Sequence, residues 1–172
     1  MNIPAKLTDY EAYSDDKRLI GITTVTLPSL EYLTDTIKGP GILGEMDMPT
    51  FGMPGSMACE IEWRTIHEDF TKYVQNKRGV TFEFWGNNQE YNAGSHQWNN
   101  VGVRVAVAGV IKKAEFGNME VSAESGSKIT VELYRLKVSI NGKEKLHIDK
   151  FSKVYAVDGE DLYAEVRKNL GL

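Results

Sequence analysis

The sequence predicts a mainly β fold built from antiparallel strands, and three observations support this prediction. Apolar residues alternate with smaller or polar ones over residues 101–111, the period of two that is typical of a strand with one buried face. A second alternating segment covers residues 128–140. It is followed by Asn141-Gly142 and then by Leu146-His147-Ile148, and Asn-Gly between two such segments indicates a tight hairpin.

The alternation in the second segment changes phase near Leu133. The apolar residues before this point are odd-numbered and those after it are even-numbered: Ile129, Val131 and Leu133, then Tyr134, Leu136, Val138 and Ile140. A strand needs a bulge, or a passage from one buried environment to another, to do this, because a shift of one residue exchanges its faces. We expect this strand to have two different partners, although an ordinary sandwich strand with a bulge has the same pattern. Gly109 in the neighbouring strand indicates a bend or a close backbone approach.

The remaining predicted strands cover residues 19–27, 30–37, 57–63 and 80–85. A turn is predicted at residues 15–18, just before the first of them. A short helix is predicted over residues 66–75, because Thr65 and Glu68 have the spacing of a capping box. A C-terminal helix is predicted after Asp158 as its cap, with an apolar stripe of Leu162, Val166 and Leu170. Residues 86–100 and 116–127 are predicted to be polar loops.

Residues 38–55 form the most unusual segment. Five glycines and three prolines predict that neither a helix nor a sheet runs through it. The segment is nevertheless apolar, whereas a long loop normally lies in water and is polar. We predict that it docks on a neighbouring subunit, and a loop folded on its own core is the alternative. The predicted contact residues are Ile42, Leu43, Met46, Met48, Phe51 and Met53.

Length, charge and cysteine content limit the class of protein. The 172 residues predict a single domain, residues 1–172, that folds without cross-links. Cys59 is the only cysteine, which excludes intrachain disulfides and favours a reducing compartment. We expect no signal peptide and no membrane span, and therefore a protein made soluble in a cytoplasm. Twenty basic against 24 acidic residues, a formal net charge of −4, argue against a surface for binding nucleic acid.

No catalytic, metal-binding or cofactor-binding site is predicted. Residues 39–44 match the dinucleotide pattern G-x-G-x-x-G, but Pro49 and Pro54 follow where the fingerprint requires a helix. His67-Glu68 lacks a second histidine four residues later, since Thr71 stands there. The carboxylates are spread along outward strand faces, and Glu60, Glu62, Glu83 and Glu132 are interpreted as solvated or lumen-lining.

Several short segments of the later half of the chain match one known family in order. They are Gly109, Ser127-Lys128-Ile129, Tyr134-Arg135-Leu136, Asn141-Gly142-Lys143-Glu144, Ile148-Asp149, Val157-Asp158-Gly159-Glu160-Asp161, Arg167 and Gly171-Leu172. The match is looser in the first half, at Val25-Thr26-Leu27-Pro28 and from Gly39 onward, and it departs in the methionine-rich segment and in residues 87–100. Through these segments, which cover most of the chain, the sequence resembles the major tail tube proteins of contractile-tailed bacteriophages.

The resemblance implies a fold of two packed antiparallel sheets, a barrel-like sandwich, with a flanking short helix and a C-terminal helix. It also implies hexameric rings whose inner strands join in a continuous β-barrel and stack into a passive conduit for DNA or ions. The implied partners are other copies, a sheath protein, a baseplate hub and a tail terminator, with assembly in a bacterial cytoplasm before incorporation in a virion tail or bacteriocin particle. The residues assigned to the shared-barrel strands are Val103, Arg104, Val105, Val107, Gly109, Val131, Leu133 and Tyr134.

Two other functions stay open from the sequence. The first is a monomeric ligand-binding β-barrel or sandwich module, with a pocket lined by residues such as Trp63, Phe82, Phe84 and Tyr134. The second is a hydrolase with a dispersed site. Among tubes, the sequence does not distinguish a phage from a bacteriocin.

Overall fold

A computed structural model describes residues 1–15 and 17–172 of the chain. Within these residues it contains twelve strands and two short helices. They are β1 (Asn2–Ser14), β2 (Lys17–Arg18), β3 (Ile22–Thr26), β4 (Tyr32–Lys38), β5 (Glu45–Pro54), β6 (Ala58–Trp63), α1 (Glu68–Tyr73), β7 (Val80–Asn92), β8 (Gln97–Glu115), β9 (Ser127–Ile140), β10 (Lys143–Asp149), β11 (Val154–Val157), β12 (Glu160–Asp161) and α2 (Ala164–Asn169). No helix in the described residues is long and apolar enough to cross a bilayer.

The strands form two antiparallel sheets, which confirms the predicted mainly β class. The larger sheet has the order β12-β11-β10-β9-β8-β7-β1-β2, with β6 paired to β9 and β3 paired to β6. The smaller sheet is the β4–β5 hairpin. The larger sheet branches at β9, because one edge of β9 pairs with β8 while the other edge pairs first with β6 and then with β10.

The branch point is a bulge that confirms the phase change read from the sequence. Ala108 pairs with Arg135 and Gly109 with Leu133, so Tyr134 is the extra residue of β9. The Leu133 amide donates to Met57 O (2.8 Å) on the β6 side, whereas Tyr134 O accepts from Lys150 N (2.9 Å) on the β10 side. The expected change of partner therefore takes place at the bulge.

Gly109 and the Asn-Gly turn have the conformations that the sequence predicts. A Cβ on Gly109 would lie 2.2 Å from the carbonyl oxygen of Glu132, so the close backbone approach requires glycine. Asn141 and Gly142 both have positive φ, 49° and 75°, and connect the paired residues Ile140 and Lys143. This is the two-residue hairpin favoured by the twist of antiparallel strands.

The hydrophobic core lies on one face of the larger sheet and is closed by α1. The fully buried side chains include Trp63 of β6, Phe70 of α1 and Phe82 of β7. Trp63 packs edge-on against Phe70 (5.9 Å between ring centroids) and is stacked with Tyr73 (6.3 Å). Full burial of a large apolar side chain stabilises a fold by about 1.5–3 kcal/mol, so these residues anchor the helix to the sheet.

Two segments predicted to be loops are strands. Residues 38–55 contain all of β5, and Pro49 and Pro54 are tolerated because a two-stranded sheet has only edge strands, where a missing N–H donor costs least. Residues 86–100 continue β7 and β8 almost to their turn. There Asn87 Nδ2 donates to Thr8 Oγ1 (2.8 Å) and Asn100 Oδ1 (3.1 Å), and such side-chain pairs compensate for the low strand preference of asparagine.

Both helices begin later than predicted. The cap of α1 is His67, whose Nδ1 accepts from Asp69 N (3.2 Å), and Thr65 lies outside the helix. Asp158 is not a helix cap: it has a φ of 51° and forms with Gly159 the turn between β11 and β12. The N-cap of α2 is Tyr163. The 116–127 loop is confirmed up to Ser127, where β9 begins.

Candidate assembly surfaces

The face of the larger sheet opposite the core is polar. Direct pairing across β1, β7, β8 and β9 puts alternate residues of these strands on this face. We call it the polar sheet face. Its residues are Asp9, Glu11, Tyr13, Thr81, Glu83, Trp85, Asn87, Gly102, Arg104, Ala106, Arg135, Lys137 and Ser139. An open groove of about 840 Å³ crosses its β1–β7 part.

The centre of the polar sheet face is a three-residue cluster. The Arg104 guanidinium lies over the Trp85 ring, 4.6 Å from its centroid, and donates to Glu83 Oε1 (2.5 Å). Trp85 Nε1 donates to Glu83 Oε2 (3.2 Å). The Glu83 carboxylate therefore accepts from both neighbours, and the cation–π contact fixes the arginine flat on the sheet.

The other two cations of this face also have carboxylate partners. Arg135 Nε donates to Asp149 Oδ2 (3.0 Å), and Lys137 Nζ lies 3.5 Å from Glu144 Oε2. A cation that already has a carboxylate partner attracts a phosphate less strongly, because the two charges largely cancel beyond a few ångströms. The three cations of the polar sheet face are therefore all paired with carboxylates of the same chain.

The sheet has two open edge segments next to this face. The outer edge of β1 from Asn2 to Glu11 pairs with no strand among the described residues, since β2 covers only Tyr13 and Ser14. On the other side, β9 ends opposite Val103, which leaves the β8 edge over residues 97–101 without a partner strand in the described chain. Unpaired edges are surfaces on which another chain can continue the sheet.

The β4–β5 hairpin is attached firmly at its base. Gly55 N donates to Glu31 O (2.7 Å), Lys150 Nζ donates to Gly55 O (2.6 Å), and the hydroxyls of Tyr32 and Tyr155 are 2.5 Å apart. Burial, together with the hydrogen bond to Tyr32, raises the pKa of Tyr155 to about 12. The hairpin base therefore belongs to the folded subunit.

The hairpin beyond its base presents apolar side chains to solvent. Leu43 at the turn is fully exposed, and the other five predicted contact residues are 39–61% exposed: Ile42, Met46, Met48, Phe51 and Met53. A run of exposed apolar side chains on one ordered element is typical of a surface that contacts another molecule.

Asp149 connects the hairpin base to the polar sheet face. The residue is 5% exposed; Oδ1 accepts from the amides of Phe151 (3.0 Å) and Ser152 (2.9 Å), while Oδ2 accepts from Arg135. Burial alone would raise the pKa of Asp149, but these hydrogen bonds outweigh it and lower the pKa below its ordinary value. The carboxylate is thus ionised and rigidly held, beside the lysine that contacts Gly55.

The residues assigned to the shared barrel do not all lie on one surface. Arg104 is on the polar sheet face, Gly109 and Tyr134 form the bulge, and Val103 is half-buried. The remaining four are buried in the subunit's own core: Val105, Val107, Val131 and Leu133.

The sequence analysis missed β1, which supplies Asp9, Glu11 and Tyr13 to the polar sheet face. Its only signal was the alternation of these residues with Tyr10 and Ala12.

The pocket required by the ligand-binding alternative is filled by its own side chains. Trp63 and Phe82 are fully buried, and Phe82 stacks on Phe84 with ring centroids 6.4 Å apart. Tyr134 packs instead against Phe151, 4.9 Å between centroids. Among the described residues, no group of three or more His, Cys, Asp or Glu side chains is arranged to hold a metal ion.

The family model for the phage tail tube protein FII matches residues 4–171. The chain belongs to this family. It is 25% identical to the tail tube protein of Escherichia phage P2 over 186 residues, covering 100% of both chains. It is 26% identical to the major tail tube protein of Serratia phage KSP20 over 168 residues, covering 96% of this chain and 94% of the relative. The resemblance in the sequence is thereby confirmed, and the chain is a structural protein of phage tail tubes.

A solved structure has the same fold as this tail tube chain. It is a chain in the cryo-EM structure of an extracellular contractile injection system, the PVC sheath–tube complex in its extended state. The TM-score is 0.51 at 9% identity, and the match covers 76% of this chain and 87% of that chain. At this identity the match shows a common fold and does not by itself transfer contacts.

Proposed function

We propose that this tail tube chain is the inner-tube subunit of a contractile injection particle, a phage or an R-type bacteriocin. Copies join side by side into hexameric rings, and the rings stack into a hollow tube. The observation that carries this proposal is the polar sheet face, which is bordered by the open edge of β1 and, beyond the end of β9, by the open edge of β8 over residues 97–101. A sheet of this kind continues from copy to copy and closes on itself with one face inward.

The two edges suit a head-to-tail ring. β1 and β8 run in the same direction, because each is antiparallel to β7 between them. In a ring, the open edge of β1 in one copy lies beside residues 97–101 of β8 in the next copy. Because the two strands run in the same direction, they pair as parallel strands. Pro4, Lys6 and two register shifts interrupt the β1 edge, features that protect an edge from pairing with unrelated chains before assembly.

The polar sheet face then lines the bore. Its cations Arg104, Arg135 and Lys137 are neutralised by carboxylates of the same subunit, and the chain as a whole is acidic. Binding of DNA depends on free cations that replace the counterions of phosphates. A wall without them allows DNA or ions to pass without being retained, so the tube is a passive conduit.

The exposed apolar residues of the β4–β5 hairpin contact an adjoining subunit. The partners outside the tube are a sheath protein, a baseplate hub and a tail terminator; a sheath is named with the tube in the complex that shares this fold. The subunit assembles in the bacterial cytoplasm and is then part of a virion tail or a released bacteriocin particle.

Assembly of the purified chain tests the proposal. We expect light scattering to show a concentration-dependent increase in mass, and negative-stain images to show hollow tubes with sixfold end views. Gly102→Ala is expected to form the same tubes, because its added methyl meets no atom within 4 Å in the subunit and lies on the polar sheet face. A monodisperse monomer at all concentrations would refute the proposal and favour a monomeric binding module.

A further inference from the structure

The 116–126 loop carries apolar side chains that nothing in the subunit covers. Met119 is 92% exposed and Val121 is 95% exposed. Ile66, just before α1, lies beside them, and together with neighbouring polar residues they line an open groove of about 500 Å³. We call this groove the loop groove. The sequence analysis interpreted this segment as an ordinary polar loop.

The two ends of the loop are joined to each other and to β6 by hydrogen bonds. Asn118 N donates to Ser125 O (2.8 Å), and Ser125 N donates to Arg64 O (2.8 Å). A Cβ on Gly117 would lie 1.7 Å from Ser125 O, so the backbone closes on itself where only glycine fits. A fixed loop that exposes two apolar side chains almost completely is a preformed contact surface rather than a disordered connection.

The loop groove and the β4–β5 hairpin are attached at opposite ends of β6. The loop joins β6 at Trp63, through the hydrogen bonds to Arg64, whereas the hairpin base joins β6 at Ala58. β6 has six residues, so the two junctions are separated by about 17 Å at about 3.3 Å per residue. Tyr32 of the hairpin contacts Tyr155 of β11. Tyr155 lies level with Ile148 of β10 and Leu136 of β9, nine residues along β9 from Ser127, where the loop ends.

We propose that the loop groove receives the turn of the β4–β5 hairpin, Ile42 and Leu43, from a second copy of this chain in the next ring. Two separate apolar surfaces on one subunit join copies head to tail, and a contact of this kind that does not close on itself produces an open polymer along the axis. This inference rests on the proposed tube function and adds the acceptor for the hairpin.

The size of the surfaces also favours contact between rings. A few side chains on each side bury far less than the about 1,200 Å² that a stable pair of free proteins requires. The same contact repeated around a ring acts as one multivalent interaction, in which each contact raises the effective concentration for the next. A contact of this size is therefore ineffective between free subunits and effective between rings.

Cross-linking of tubes tests the contact directly. Leu43→Cys and Met119→Cys are combined in one chain and treated with a short bismaleimide. Cys59 does not interfere, because it is fully buried and burial raises the pKa of its thiol to about 12. We expect a ladder of covalent oligomers, which neither single variant gives. Absence of a ladder from preparations that contain stacked tubes would overturn the inference and leave the proposed function intact.

Removal of the acceptor surface is the second test. Met119→Ser combined with Val121→Ser is expected to leave sixfold rings but prevent stacking, and Leu43→Ser is expected to do the same. Leu172→Ser, an exposed apolar residue outside both surfaces, is the control and is expected to form tubes of ordinary length. Tubes of ordinary length from the acceptor variant would contradict the inference. Failure of the unmodified chain to form any tube would refute the proposed function and this inference together.

Discussion

A methyl group added at Gly109 tests the account of the bulge. In Gly109→Ala the new Cβ would lie 2.2 Å from Glu132 O and 2.9 Å from Val131 Cγ1. The oxygen is part of the backbone of β9, so relief requires β8 and β9 to separate at the branch of the sheet. Overpacking of a fixed interior site costs about 1–3 kcal/mol. For a chain of this size, each kcal/mol lowers Tm by about 2–4 °C.

Urea and thermal denaturation measure this effect at a protein concentration where light scattering shows single subunits. The matched control is Gly102→Ala on the same strand, whose methyl would meet no atom within 4 Å. That substitution is expected to be neutral or to stabilise the subunit by about 0.4–1 kcal/mol, because alanine restricts the unfolded chain. If Gly109→Ala were as stable as Gly102→Ala, the close approach and the argument for the branch would be wrong.

Two carboxylates give further predictions with one shared control. Asp149→Asn is expected to destabilise the subunit by about 1–3 kcal/mol at neutral pH, because the Arg135 contact loses its charge in a buried site. The pKa of Asp149 is lowered in the folded state. The ionised carboxylate therefore stabilises the fold above the ordinary pKa of about 3.9, and this stabilisation is lost as pH falls through the folded pKa. In urea denaturation, the difference in stability between the unmodified chain and Asp149→Asn should therefore become smaller in acid. Glu83→Gln removes the carboxylate partner of Arg104. If the polar sheet face lines the bore as proposed, tubes of this variant are expected to bind labelled DNA at low salt, and the slope of log K against log salt should be steeper by about 1 for each arginine that contacts a phosphate. Asp158→Asn, at an exposed turn, should change neither property; equal effects from it would invalidate both arguments.

The branch of the sheet was predictable because strand periodicity is sensitive to one inserted residue. The phase change near Leu133 required either a bulge or a change of environment, and β9 has a bulge at Tyr134 and a change of partner from β6 to β10. Gly109 and the Asn141-Gly142 turn were predictable for a similar reason. Each is a position where backbone geometry restricts the residue type.

The strands that were missed are stabilised by partners distant in sequence. β1 has little apolar alternation of its own and is held by β7, about 80 residues later, with Ile3 opposite Tyr91 and Ala12 opposite Phe84. β5 contains two prolines, which argue against a central strand but are compatible with an edge. The polar sheet face was missed with β1, because a surface shared by four strands becomes visible only when their register is known.

Different residues of this subunit contribute to its folding and to its proposed assembly. Val105, Val107, Val131 and Leu133 stabilise the subunit itself, so substitutions there are expected to unfold it before any contact between copies is tested. Leu43 and Met119 are exposed and contribute little to the core, so under the proposed contact changes there are expected to weaken association and to leave the stability of the single subunit unchanged. Association that binds only the folded subunit raises its apparent stability with protein concentration. The denaturation midpoint of the unmodified chain should therefore rise with concentration, and that rise should be smaller in the Met119 and Leu43 variants although their dilute midpoints equal that of the unmodified chain.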